Sequence, residues 1–218
     1  MPFLSNPATF ITFSLLAVGI ASLSFLISGF GYRGKGGEAY SPLNHFISEL
    51  GYVGVSRLAW VFNLGLILTG LCLLVACISL GLSLPGPMAR INMVVGFIYA
   101  ISVSLVGVFP MNKIKLHTIA AMSFFWSGLV FVFTFSLAIV LQPAGGVVLP
   151  RAYALAGLPA LFAYGTFLWL ISRVDRSAGE ALSPDDINER PKVWDLVVAE
   201  WMTFVTVVIW ILIVAVGL

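Results

Sequence analysis

Charge is what this chain most lacks. Of its 218 residues only 20 carry a formal charge, 11 Lys plus Arg against 9 Asp plus Glu, a share of 9%. A soluble domain carries about a quarter. Sixty per cent of the residues are hydrophobic and the mean hydropathy is +1.06. That balance excludes an ordinary cytosolic enzyme and a disordered chain. The net charge of +2 leaves no basic field to attract nucleic acid. Cysteine and histidine are scarce too, with two of each. Cys72 and Cys77 fall five apart within one apolar run, a poor disulfide pair that reads as small buried side chains. Walker-loop, CxxC, HExxH and nucleophile-elbow patterns are all missing, and no internal repeat relates the two halves.

In place of charge there are long uncharged runs. A helix needs roughly 20 apolar residues to cross a bilayer. The intervals 1–32, 58–89, 91–112, 116–150 and 152–172 all qualify, and a sixth begins near Val193 if Asp195 and Glu200 enter its first turns. The expected fold is therefore all-α, an integral membrane bundle of six transmembrane helices at about 8–30, 57–80, 90–108, 115–141, 151–172 and 194–217. The chain reads as one transmembrane domain, with a polar loop over 173–192. Pro-Gly-Pro at 85–87, Phe109-Pro110 and the Gln142-Pro143-Ala144-Gly145-Gly146 stretch punctuate the spans. The first run lacks a positive leader and exceeds a signal-peptide core in length, so it reads as a retained span.

With six spans, one side of the membrane receives Arg33, Lys35, Arg57, Lys113, Lys115, Arg173, Arg176, Arg190 and Lys192, and the other only Arg90 and Arg151. A nine-to-two split of basic residues predicts that the richer side is cytoplasmic and that both termini lie outside, in a plasma or inner membrane. All nine acidic residues fall on the same rich side.

Polar groups gather at that boundary. Ser41-Pro42 reads as a helix start, followed by Leu43, Phe46, Ile47 and Leu50 on one face and Asn44, His45, Ser48 and Glu49 on the other, with Gly51 as the stop. This spacing predicts a short amphipathic interfacial helix between spans one and two, after which Ser56 can cap the second span. Ser183-Pro184-Asp185-Asp186 carries the same cap signal within the polar loop. Asn63 lies about 9 Å into the second span and Glu200 about 7 Å into the sixth, counted from Arg57 and Asp195. His117 opens the fourth span. An ionisable group inside a span is a functional candidate. No Asp, Glu, Lys, Arg or His falls near the middle of any span, so a proton relay or ion-coupled pump has no midplane residues to run on.

Over SPLNHFISELGYVGVSRLAWVFN at 41–63 and LVGVFPMNKIKLH at 105–117, the chain resembles the DUF998 family of polytopic membrane proteins. The matching pieces are Ser41, Ser48-Glu49-Leu50-Gly51, Phe62-Asn63, Gly70, Gly107-Val108-Phe109-Pro110 and His117. More loosely it is similar to Frag1/DRAM/Sfk1-like membrane proteins. The DUF998 resemblance implies a six-helix bundle and no established activity. It brings forward by motif Ser48, Glu49, Asn63 and His117, whereas His45 and Glu200 rest on depth and spacing.

Three functions fit these features. The first is a protein that binds a lipid or other amphiphile at the cytoplasmic leaflet, or packs as an accessory subunit in a membrane complex, with Ser48, Glu49, Asn63, His117 and Glu200 as ligand-binding candidates. Its expected partners are membrane lipid, other membrane proteins or further copies of the chain. The second is an intramembrane enzyme on a lipid-like substrate. There His45 and Glu49, four apart on a helix, would bind a metal with His117 and Glu200, or Glu49 or Glu200 would act as a base oriented by His117. The third is a channel or carrier for a small neutral solute lined by Asn63, Asn92, Tyr99 and Ser102. No cofactor is named by the sequence.

Overall fold

A computed structural model describes residues 3–174 and 190–218. Six α-helices account for the spans: α1 (Pro7–Gly31), α2 (Ala59–Ser83), α3 (Pro87–Val108), α4 (Ile114–Val140), α5 (Leu158–Arg173) and α6 (Asp195–Gly217). All six, extended at α4 and α5 by the short 3-10 turns that precede them, are long and apolar enough to cross a membrane. The polar loop expected over 173–192 is described only at its two ends, and the cap signal at Ser183 to Asp186 lies outside the described residues.

The helix ends follow their residues. Asn6 caps α1, its side-chain oxygen accepting from the Ala8 N–H at 3.0 Å, with Pro7 at the first helical position. Gly86 takes φ +95° between two prolines, a conformation open to glycine, and turns the chain into α3. The fifth span opens on a 3-10 helix, Arg151–Gly157, before α5 proper. Ser56 does not cap α2. Its carbonyl accepts from the Ala59 N–H, while its buried hydroxyl finds no partner among the described residues.

Packing runs in chain order, α1 on α2, α2 on α3, α3 on α4, α4 on α5 and α5 on α6, and α6 returns to α1 to close a ring. Large apolar side chains such as Leu23, Leu26, Ile119 and Phe162 cover the outside, while Ser28, Thr69 and Asn92 are buried between helices. This is the arrangement expected when lipid is the solvent, since close approach of small residues and interhelical hydrogen bonds hold such a bundle together. A Cβ on Gly70 would run into the Ala100 carbonyl at 2.6 Å, so α2 and α3 touch there backbone to backbone. Asn92 ties α3 to α4, its amide donating to the Phe131 carbonyl at 2.8 Å and to the Thr134 hydroxyl at 2.9 Å.

The link between α1 and α2 departs from the expected amphipathic helix. Ser41 to His45 form one tight turn, with the His45 N–H donating to the Ser41 carbonyl at 2.9 Å, and the chain then extends at Phe46. A 3-10 helix over Ile47–Gly51 follows. The polar face is turned inward rather than toward water: His45 is 1% exposed and Glu49 2%, whereas Leu43 is 49% exposed. The cause is competition for backbone groups. The Phe46 and Ile47 N–H groups, which a continuous helix would give to the carbonyls four residues back, donate instead to carboxylate oxygens of Glu49 at 2.8 Å and Glu200 at 2.7 Å. The Leu43 carbonyl is in turn taken by the Trp194 N–H at 2.8 Å.

Candidate functional site

The inturned segment brings two polar centres to the charged end of the bundle. The first is a buried ion pair. Arg190 Nη1 lies 2.9 Å from both carboxylate oxygens of Glu49 and also donates to the Asn44 carbonyl at 3.2 Å. Tyr32 donates to the same carboxylate at 3.4 Å. The Tyr40 hydroxyl lies 3.0 and 3.1 Å from the His45 and Phe46 carbonyls, which it serves as donor, and it accepts from Trp201 Nε1 at 3.1 Å. Both phenols titrate above the ordinary tyrosine value. Burial is the main cause in each, reinforced at Tyr32 by the Glu49 charge and at Tyr40 by the Glu200 charge. They therefore remain donors at physiological pH. His45 packs against both rings, with centroids 5.3 and 5.4 Å away. Its Nδ1 accepts from the Ser41 N–H at 3.2 Å, so in the neutral ring Nε2 carries the proton and faces Glu38 at 3.7 Å.

The second centre is a cavity of about 170 Å³ that draws residues from all six helices. Its walls are apolar, with Phe25, Phe62, Phe124, Phe125, Phe167 and Phe204 among them. Ser48, His117, Thr118, Glu200 and Thr203 supply the polar atoms. Ile114 and Thr118, which line it from α4, are both exposed, so the cavity reaches the surface of the bundle there. Glu200 reaches it from the second turn of α6. One carboxylate oxygen accepts the Ile47 N–H, and among the described residues no cation lies within ion-pair distance of the other. His117 is held by its Nδ1, 2.8 Å from the Phe109 carbonyl. A carbonyl only accepts, so Nδ1 carries hydrogen and Nε2 of the neutral ring is left as an acceptor. Thr203, also in the lining, donates its hydroxyl proton to the Ala199 carbonyl at 2.9 Å, so that its hydroxyl oxygen can still accept.

The six sequence candidates thus separate. Ser48, His117 and Glu200 line one cavity. Glu49 faces Arg190, and Asn63 is used locally, its amide donating to the Gly51 carbonyl at 3.0 Å. The four-residue metal set of His45, Glu49, His117 and Glu200 is not assembled. His45 packs against the Tyr32 and Tyr40 rings and Glu49 is held by Arg190. Among the described residues no three His, Cys, Asp or Glu side chains group as metal ligands. Asn92 is occupied in bridging α3 to α4, and Ser102 in its own helix through the Ile98 carbonyl. Sequence reading missed Arg190 as the counter-ion of Glu49, because the two lie 141 positions apart. It missed the phenylalanine walls for a related reason, since a Phe inside a span carries no mark of which way it faces.

A family model described as a protein of unknown function, DUF998, matches residues 15–217. The chain belongs to the DUF998 family. No curated protein and no solved structure matches it, and the looser likeness to Frag1/DRAM/Sfk1-like proteins finds no support in these comparisons. The DUF998 match runs from α1 to the end of α6, so both polar centres fall within it.

Proposed function

We propose that this DUF998 protein binds an amphiphile, either a small lipid-like molecule or the end of a membrane lipid, in the cavity at the charged end of its bundle. The cavity carries the reading: apolar walls, a few polar side chains among them and exposed lining residues at Ile114 and Thr118 are what such a ligand needs. Its size sets the scale. An apolar cavity of ~150 Å³ takes a benzene. About 170 Å³ therefore seats roughly six to eight non-hydrogen atoms, a short chain or the tip of a long one. The distribution of basic residues supports a position at the cytoplasmic leaflet, with both termini outside.

The test is photolabelling of the protein in nanodiscs by a lipid with a diazirine near its chain end. Adducts are expected on Met122, Phe125 and Phe204, inside the cavity, and Ala121→Phe, which fills it, removes them. Adducts confined to outward residues such as Leu23, Ile119 and Phe162, unchanged by Ala121→Phe, would overturn the reading.

A further inference from the structure

We propose that the group seated against Glu200 in this cavity is an organic ammonium, so that the ligand is a lipophilic amine. The inference rests on the cavity being an amphiphile site and adds the chemistry of the head. Among the described residues no Lys or Arg lines the cavity. Arg190, close by in the chain fold, is engaged by Glu49. The Ile47 N–H, a backbone donor at the wall, is spent on Glu200 itself. What remains on the polar side is the second carboxyl oxygen of Glu200, Nε2 of His117 and the hydroxyls of Ser48, Thr118 and Thr203, all able to accept a hydrogen bond and, among the described residues, accompanied by no cation.

A carboxyl group among phenylalanines without a counter-charge is costly to ionise, and a ligand that brings the opposite charge lowers that cost. An ammonium carries up to three N–H donors for the acceptors present and is attracted by the faces of the phenylalanine rings. A phosphate or carboxylate head would meet Glu200 with no cation to offset it. A hydroxyl head would satisfy one acceptor and bring no charge to favour the ionised form of Glu200.

The experiment compares probes of matched size, hexylamine, 1-hexanol and hexanoate, on the full chain in a non-ionic detergent, with dissociation constants from saturation-transfer NMR. Hexylamine is expected to bind the wild type at least about tenfold more tightly than 1-hexanol, as a charge-assisted contact does over a neutral one. Hexanoate is expected not to bind. Glu200→Gln should bring hexylamine to the level of 1-hexanol and leave 1-hexanol within about threefold of its wild-type value. Equal binding of amine and alcohol by the wild type, or an amine preference that survives Glu200→Gln, overturns the ammonium assignment while the amphiphile site stands. Binding of neither probe overturns both. Should Glu200→Gln fail to fold, the wild-type amine-to-alcohol ratio decides alone.

Discussion

The Arg190–Glu49 pair makes the clearest energetic prediction. The two side chains are 6% and 3% exposed, and Nη1 stands 2.9 Å from both carboxylate oxygens. At that distance and an effective dielectric of about 20 the gross attraction is about 6 kcal/mol, much of it offsetting the cost of taking two ions out of water. Arg190→Met keeps the apolar stem but removes the charge. Glu49 is then left with the Phe46 N–H at 2.8 Å and the Tyr32 hydroxyl at 3.4 Å. The attraction is gone while the desolvation of the carboxylate remains, so the variant should lose about 3–5 kcal/mol. Pairing it with Glu49→Gln keeps an acceptor for Phe46 and removes the stranded charge, so the double variant should recover at least half of the loss. Thermal unfolding in detergent, followed by tryptophan fluorescence, reads both, since Trp194 and Trp201 pack on this segment. Hydrogen exchange over 41–51 locates the change. Arg190→Met within about 0.5 kcal/mol of wild type, or a double variant no more stable than the single one, would refute the reasoning.

Four further outcomes are expected. Gly70→Ala forces a Cβ against the Ala100 carbonyl and the Ser104 amide and should destabilise the α2–α3 contact by about 2 kcal/mol or more. Gly165→Ala, with nothing within 4 Å of its Cβ, should be neutral or slightly stabilising in the same thermal assay. Gln142→Leu removes a side chain that donates to the Ile139 and Leu149 carbonyls and accepts from the Val148 and Leu149 N–H groups. It should cost about 2–3 kcal/mol and raise proteolysis at 143–148, where an unchanged digest would count against that clamp. A reporter fused after Leu218 is expected to be active only outside the cytoplasm, and cytoplasmic activity would invert the proposed orientation.

Much of the architecture was legible from run lengths. A bilayer requires every backbone group in a span to be paired within its own helix, so the count of uncharged residues dictates where helices lie whatever packs beside them. The expected 8–30 and 194–217 differ from Pro7–Gly31 and Asp195–Gly217 by a single residue at each altered end. The same logic singled out Glu200 and His117, because an ionisable side chain within a span is conspicuous against an apolar background.

What only the tertiary structure decided is the course of 41–51 and the partners of its polar groups. Helical spacing is present there, and an isolated reading gives a helix with a wet face. In the folded chain the amides of Phe46 and Ile47 are claimed by two carboxylates, the carbonyl of Leu43 by Trp194 and that of Asn44 by Arg190. Three of those four partners lie on the approach to α6 or within it, about 150 residues away along the chain, too far for any local pattern to signal. Composition and run length thus determined that this chain crosses the membrane six times and where its scarce charges collect. Which of those charges are paired, and which one is left facing a cavity, depended on the return of α6 to the turn between α1 and α2.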